Sequence, residues 1–224
     1  MENLHKVLEA NKRVFDLLRK TKLEGLTENE LKKIILCEYK SFLGSFTFNG
    51  DIVAGKNSAV GEGTGTDYVI KRGDAVILDL LPYKNKKCAD TTRTFFVGEP
   101  SALQREVYNT VKHALCEVEK ILMPGIRACD IYREMRERLK PFEDTFFHHA
   151  GHLIKARRLC QPQFLPNKSA RLRVGDVVTL EPGIYIKDEF GVRLENNYLI
   201  TENGCKNLFE YPLEIENFIS AKEQ

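Results

Sequence analysis

The chain has 224 residues, of which 42% are hydrophobic and 29% charged, as expected for one globular domain with a sizeable core. Its formal net charge of +2 and its short basic runs at residues 84–87 and 157–158 exclude the extended basic surface of a nucleic-acid-binding protein. The charged N-terminal residues exclude a signal peptide, and no apolar run is long enough to cross a membrane. We therefore expect one domain over residues 1–224 that binds neither nucleic acid nor membrane.

The six cysteines contain no C-x-x-C pair, and a chain of this length does not need disulfides to fold. They are Cys37, Cys88, Cys116, Cys129, Cys160 and Cys205. We expect reduced, mostly buried thiols in a reducing compartment, which predicts a cytoplasmic protein.

Two helices are predicted at the start of the chain. Apolar residues from Leu4 to Leu18 are spaced for one face of the first helix. The second helix begins after Thr27, which forms a capping box with Glu30. Residues 45–70 are rich in glycine and predict short strands and turns. They lack the G-x-x-x-x-G-K-[ST] pattern of a phosphate-binding loop.

The rest of the chain reads as strands, then helices, and then strands again. Ser101 and Gln104 cap a long helix that Pro124 ends, and a shorter helix is predicted at residues 130–139. Strands are predicted at residues 75–80, 90–97, 176–180, 183–187 and 195–201. Because no linker interrupts this order, we expect an α+β domain with an antiparallel sheet.

A seven-residue pattern occurs twice in the chain. Residues 73–79 (Gly-Asp-Ala-Val-Ile-Leu-Asp) and 175–181 (Gly-Asp-Val-Val-Thr-Leu-Glu) each join a Gly-Asp turn to an apolar strand and a closing carboxylate. A second carboxylate follows each copy, Asp90 or Glu195, and opens another strand. The sequence therefore predicts two halves related by a pseudo-twofold axis, each supplying two acids.

The predicted axis would bring Asp79, Asp90, Glu181 and Glu195 around one point. A carboxylate at the end of an apolar strand is costly to bury without a partner, and four of them repel one another unless cations lie between them. Two divalent metals suit such hard oxygen ligands. The segment 148–152, with three of the five histidines, can complete the site.

With these motifs the chain resembles the pita-bread metallopeptidases, the fold of methionine aminopeptidase and of the Xaa-Pro aminopeptidases and prolidases. The resemblance covers roughly residues 45–215. Its motifs are Asp79-x10-Asp90-Thr91-Thr92-Arg93-Thr94-Phe95, His148-x-x-Gly151-His152, Glu181-Pro182-Gly183-Ile184-Tyr185 and Gly191-Val192-Arg193-Leu194-Glu195-Asn196. The last two are more similar to the proline-peptidase branch, whose members usually carry a separate N-terminal domain that we do not expect here. The resemblance implies duplicated halves and a curved antiparallel sheet covered by helices.

The resemblance also implies a set of metal ligands. Asp79 would bind one metal, Asp90 and Glu195 would bridge both, and His152 and Glu181 would complete the second. The cofactors would be two divalent ions, with Mn, Co, Fe and Zn all suited to the ligands. Glu181 would also move a proton from the attacking water to the leaving amine of a peptide or dipeptide.

Other residues receive roles beside the metals by the same resemblance. His148 falls where the family has a histidine near the substrate. Arg193 would orient carboxylates through charge-assisted hydrogen bonds, and Tyr185 serves either the substrate pocket or the core. Family habit also implies a homodimer.

Two positions depart from the family pattern. Glu62 stands where the family has a histidine before the first metal strand, and Leu159 stands where it has a hydrogen-bonding histidine after the ligand His152. Loss of one such donor typically lowers the rate by about 10² to 10³. Three functions therefore stay open: a dinuclear-metal aminopeptidase or dipeptidase of Xaa-Pro type with an altered substrate shell, a metal-dependent hydrolase of another amide or C–N bond, and a non-catalytic binding protein that retains the fold.

Overall fold

A computed structural model describes residues 2–155 and 158–220. The helices are α1 (Glu2–Leu18), α2 (Glu28–Leu43), α3 (Ala102–Glu119) and α4 (Ala128–Arg138), with short 3-10 helices at Gly55–Val60, Glu143–Thr145 and Ile215–Phe218. Within these described ranges, none of the helices has the length and apolar character that crossing a membrane requires.

Most strands belong to two antiparallel sheets. In chain order the strands are β1 (Thr47–Phe48), β2 (Ile52–Ala54), β3 (Ala75–Leu80), β4 (Pro82–Lys84), β5 (Lys87–Cys88), β6 (Thr91–Val97), β7 (His152–Lys155), β8 (Arg158–Gln163), β9 (Val177–Leu180), β10 (Gly183–Ile186), β11 (Phe190–Arg193), β12 (Asn196–Thr201), β13 (Gly204–Asn207) and β14 (Ile219–Ser220). The order is β14-β6-β3-β2 in one sheet and β13-β12-β9-β7-β8 in the other, beside a small β1-β4-β5 sheet and a β10-β11 hairpin. Only β14 with β6 is parallel among the pairs described. The predicted α+β class is confirmed.

Local sequence signals account for the helix starts. The Thr27 hydroxyl accepts from the Glu30 N–H while the Glu30 carboxylate accepts from the Thr27 N–H, and Ser101 and Gln104 repeat the same capping box at α3. The fourth helix begins at Ala128, two residues before its predicted start. No side-chain cap marks that start, so the sequence offered no signal for it.

The two halves of the chain repeat the same construction. The turn before α2 pairs with the segment before β3, since the Gly25 N–H donates to the Ile70 carbonyl at 2.9 Å. The turn before α4 pairs in the same way with the segment before β9, through the Gly125 N–H and the Leu172 carbonyl at 2.8 Å. Both glycines have a φ near +90° (Gly25 90°, Gly125 88°), where other residues are strained. The duplication predicted from the repeated strand motif therefore extends to the helices.

The halves meet along β6 and the segment that joins β11 to β12. The Glu195 N–H donates to the Thr92 carbonyl at 3.0 Å. Two residues away, the Thr94 hydroxyl donates to the Arg193 carbonyl at 2.9 Å, and the Arg193 N–H donates to the Thr94 Oγ1 at 3.0 Å. These bonds hold the acid-bearing ends of both halves against each other.

The cysteines are not mostly buried, so that expectation is wrong. Among the described thiols only Cys88 is buried, Cys37 is exposed and the others are intermediate. Cys37 lies on the solvent side of α2, because Ile35 and Tyr39 occupy the positions that face the core. The thiols of Cys37, Cys116, Cys129 and Cys205 are free, as expected, while the side chain of Cys160 lies outside the described part of the chain.

A fully buried carboxylate ties α2 to the loop that follows β2. Glu28 Oε1 accepts from the Ala54 N–H at 2.7 Å and from the Asn57 Nδ2 at 3.1 Å. Its Oε2 accepts from the Thr66 N–H at 2.8 Å and from the Thr66 hydroxyl at 2.7 Å. These four neutral donors satisfy the buried charge and fix the course of residues 54–66.

Glu28→Ala is therefore expected to lower the free energy of unfolding by about 3 kcal/mol, because it leaves buried donors without an acceptor. Urea unfolding followed by circular dichroism measures the change. Glu30→Ala is the matched control, since Glu30 is an exposed acid of the same helix turn, and it should cost clearly less. Equal losses for the two variants would contradict the role of Glu28.

Candidate metal centre

The first pair of acids lies at the junction of β3 and β6. Strand pairing sets Asp79 opposite Thr92. Asp90 immediately precedes β6 and is only 4% exposed. Its backbone is clamped by Asn197 of the other half, whose Oδ1 accepts from the Asp90 N–H at 3.2 Å and whose amide donates back to the Asp90 carbonyl. Tertiary contacts therefore fix the position of Asp90.

The second pair of acids lies at the matching junction of the other half. Glu181 follows β9 and Glu195 precedes β12, and these two strands are paired. Threonine hydroxyls hold both side chains: Thr179 donates to Glu181 Oε1 at 3.0 Å, and Thr92 donates to Glu195 Oε2 at 2.8 Å. Because Thr92 belongs to β6, Glu195 is held by the first half of the chain.

His152 begins β7 and points its Nε2 at the acids. Its Nδ1 lies 3.2 Å from the Leu153 carbonyl, a contact that favours a proton on Nδ1 and a lone pair on Nε2. That Nε2 lies 3.2 Å from Asp90 Oδ2 and 3.6 Å from Glu181 Oε1. The buried imidazole is therefore oriented as a metal ligand would be.

Two groups of ligand atoms result. The first consists of Asp90, His152 and Glu195, and the second of His148, His149 and Glu181; within each group the ligand atoms lie within 4.8 Å of one another. The 3.6 Å contact between His152 and Glu181 joins the groups. The predicted ligands from both halves thus line one cavity, and all of them except Asp79 belong to these two groups.

His149 received no role from the sequence. Its Nδ1 lies 3.2 Å from Glu181 Oε1, at ion-pair distance but without the alignment of a hydrogen bond. Nothing in the spacing of residues 148–152 distinguishes this ring from its neighbours, so only the fold identifies it.

Asp79 belongs to neither group. Its Oδ2 accepts from Arg193 Nη2 at 2.8 Å, so part of its charge is already paired. Arg193 Nη2 also lies 3.9 Å from Oδ2 of Asp51, an acid that sequence reasoning missed. Asp79 nevertheless contacts the Asp90 carboxyl closely enough to influence its protonation. Its predicted role as a ligand stays a prediction.

Arg193, Tyr185 and His148 form a buried hydrogen-bond chain next to the acids. Arg193 Nη1 donates to the Tyr185 hydroxyl at 3.0 Å and to the Gly61 carbonyl at 2.6 Å. His148 uses both ring nitrogens, with Nε2 2.8 Å from the Tyr185 hydroxyl and Nδ1 2.8 Å from the His149 carbonyl. Tyr185 is 4% exposed, and its hydroxyl contacts both His148 and Arg193. Its role in the substrate pocket or in the core stays a prediction. Arg193 also donates to the Asp79 carboxylate, and its predicted role in orienting carboxylates stays a prediction.

The pKa values of the clustered acids are shifted in opposite directions. Burial and neighbouring acids raise the pKa of Asp90 and of Glu195 well above their usual values. Burial also acts to raise the pKa of Glu181, but His149, His152 and His148 outweigh it and hold that pKa below its usual range. Burial lowers the pKa of His148 to about 4, so this ring is neutral near pH 7.

The residues fit a divalent metal. Glu195 Oε1 is buried and has no hydrogen-bond partner among the described atoms, in a cluster of acids with few cations. Such a group is costly unless something positive binds it. Carboxylate and imidazole donors together suit divalent transition metals.

These acids and histidines line a cavity of about 120 Å³. Glu62 and Asp51 also line it, so the position where the family has a histidine does face the site. Burial and then Asp79 raise the pKa of Asp51 to about 6. The other departure cannot be placed: the Leu159 backbone pairs with Ile154, but its side chain lies outside the described part of the chain.

Arg193→Lys tests the buried hydrogen-bond chain. A lysine cannot serve Asp79, Tyr185 and Gly61 together with its single ammonium group. Because residues that orient metal ligands typically contribute 10- to 100-fold to metal affinity, we expect about a 30-fold weaker metal association. Calorimetric titration of metal into the protein measures it, with the exposed Arg133→Lys as control. Unchanged affinity would contradict an orienting role.

The model of metallopeptidase family M24 matches residues 2–202 of the chain. The chain belongs to metallopeptidase family M24. This M24 protein is 37% identical over 170 residues to an Xaa-Pro dipeptidase of Pyrococcus furiosus, covering 75% of this chain and 49% of that protein. It is 31% identical over 217 residues to an Xaa-Pro dipeptidase of Pyrococcus horikoshii, covering 94% of this chain and 62% of that one.

Solved structures agree with the family. The prolidase from P. furiosus superimposes with a TM-score of 0.87 at 32% sequence identity, covering 94% of this chain and 64% of that chain. The X-Pro aminopeptidase from Thermotoga maritima gives a TM-score of 0.89 at 29% identity, covering 96% of this chain and 61% of that chain. The predicted pita-bread fold is thus confirmed. The M24 chain spans about half the length of the Xaa-Pro dipeptidase of P. furiosus.

Proposed function

We propose that the protein is a dinuclear-metal-dependent peptidase, an aminopeptidase or dipeptidase that acts on Xaa-Pro or related peptides. The observation that carries the proposal is the convergence of acids from both halves and His152 on one buried cavity, where Glu195 Oε1 has no hydrogen-bond partner within the described ranges. The names of the M24 relatives support the same class of substrate.

The proposed ligands come from both halves, which would therefore act as one catalytic domain. They are Asp79, Asp90, His152, Glu181 and Glu195. Bound there, the two cations would polarise the scissile carbonyl and make water nucleophilic near neutral pH. Manganese is our first choice among Mn, Co, Fe and Zn, because most of the ligands are carboxylates.

Glu181 is the proposed proton carrier. Its carboxylate lines the cavity and is kept ionised by the surrounding histidines, so it can accept a proton from water and release it to the leaving amine. His148 is neutral and has both nitrogens occupied, so it would act by fixing the Tyr185 hydroxyl and, through it, Arg193.

The test is a screen of the metal-reconstituted protein against N-terminal Xaa-Pro, Met-Xaa and dipeptide substrates, with Glu181→Gln as control. Cleavage by the wild type alone is expected. Two metals bound without cleavage of any peptide would favour a hydrolase of another C–N bond, an alternative raised by Glu62 in the cavity wall. Failure to bind stoichiometric metal would favour a non-catalytic binding protein.

We also propose a cytoplasmic location and a homodimer. The free thiols of Cys37, Cys116, Cys129 and Cys205 support a reducing compartment. Light scattering on the reduced protein tests the dimer, and a purely monomeric mass would exclude it.

A further inference from the structure

One large apolar side chain at the cavity is left mostly in solvent. Phe147 is 60% exposed, although its neighbour Phe146 is 1% exposed. Phe147 lines the same cavity as Glu181, His152 and the other candidate ligands. Ligand pockets commonly combine aromatic side chains with a few polar groups, as this cavity does.

Two neighbouring rings, those of Tyr185 and His148, pack against Phe147. Its centroid lies 4.7 Å from that of Tyr185 and 5.8 Å from that of His148. Gly61 makes the arrangement possible: a Cβ there would lie 3.3 Å from Phe147 Cζ and 3.0 Å from Tyr185 Cε1. The exposed face is therefore a rigid surface, because Tyr185 is itself buried and hydrogen-bonded.

The surroundings restrict which side chain can reach that surface. Val60, which precedes Gly61 in the chain, is also apolar and 65% exposed. Glu62 and Asp51 line the same cavity as Phe147, so an acidic side chain beside them would meet repulsion. An apolar side chain avoids this repulsion and gains contact area with the Phe147 ring.

We propose that Phe147 is a specificity-determining residue that packs against an apolar side chain of the peptide substrate. The assignment rests on the proposed peptidase function. It concerns which peptides the cavity prefers, whereas the acids and histidines concern whether any peptide is cleaved.

Substrate series test the assignment. With metal-loaded protein, kcat/KM is compared for Phe-Pro, Leu-Pro, Gly-Pro and Asp-Pro, and then for Gly-Phe against Gly-Gly. The wild type should favour the apolar member of at least one series, and Phe147→Ala should reduce that preference about 10-fold. Metal content should not change. Met123→Ala is the matched control, since Met123 is 48% exposed and lies outside the cavity lining. An unchanged preference in Phe147→Ala overturns the assignment.

Binding provides a measurement that does not need turnover. The chain has no tryptophan, so Phe147→Trp adds a single fluorophore at the cavity, and Glu181→Gln in the same chain prevents cleavage. Phe-Pro should shift its emission at about 10-fold lower concentration than Gly-Pro, whereas Met123→Trp should not respond. If the wild type cleaves no peptide but this difference is present, the peptidase proposal fails and the apolar contact stands. No response to any peptide overturns the contact.

Discussion

Glu181→Gln is expected to lower kcat by about 10³-fold or more for every peptide that the protein cleaves. Glutamine matches glutamate in shape and still accepts the Thr179 hydroxyl bond, so the fold should survive. It cannot carry a proton, and it is a weaker metal ligand than a carboxylate. Because Glu181 is only 8% exposed, no solvent acid can readily take its place in the cavity.

The measurement combines kcat, metal content and the circular dichroism spectrum of the variant. Glu189→Gln is the control, because Glu189 is an exposed acid on the turn between β10 and β11 and does not line the cavity. It should leave kcat unchanged. If Glu181→Gln keeps its metals and more than a tenth of the wild-type kcat, Glu181 is not the proton carrier.

Glu195→Gln is expected to have opposite effects on the metal-free and metal-loaded proteins. Without metal, the free energy of unfolding should rise by about 1 kcal/mol, since a buried carboxylate that is repelled by Asp90 and Glu181 becomes neutral. With metal at about 1,000 times the dissociation constant, the wild type should gain about 4 kcal/mol. The variant should lose most of that gain.

Urea unfolding with and without a chelator gives all four free energies. Glu202→Gln serves as control, because Glu202 is exposed on the turn between β12 and β13 and should change neither state. A variant that is less stable without metal would show that Glu195 is not under repulsive strain. A variant that keeps the full metal gain would exclude Glu195 as a ligand.

Features that depend on neighbouring residues could be predicted from the sequence. The capping boxes at Thr27 and Ser101 involve residues three apart, so their pattern is visible in the chain and both were confirmed. The repeated Gly-Asp-strand-acid motif was visible for the same reason. It correctly predicted two similar halves, in which the acid-bearing strands pair as β3 with β6 and as β9 with β12. The start of α4 was misplaced because its N-cap makes no side-chain hydrogen bond.

Contacts between distant residues could not be predicted. Arg193 reaches Asp79 and Gly61, more than a hundred positions earlier in the chain, and Asn197 clamps Asp90. The choice between ligand and ion-pair partner for Asp79 depends on those distances, which spacing does not encode. The role of His149 beside Glu181 was missed for the same reason.

The sequence by itself predicted a shared cation site, because four acids and a histidine from two related halves repel one another less with a positive charge between them. The tertiary structure alone decided which partner each of these side chains has. Burial and packing pair Asp79 with Arg193 and leave Phe147 exposed at the cavity, and they leave Glu195 Oε1 without a hydrogen-bond partner in the described part of the chain. Each of these outcomes depends on solvent exclusion and on distances across the fold, which arise only when the two halves meet.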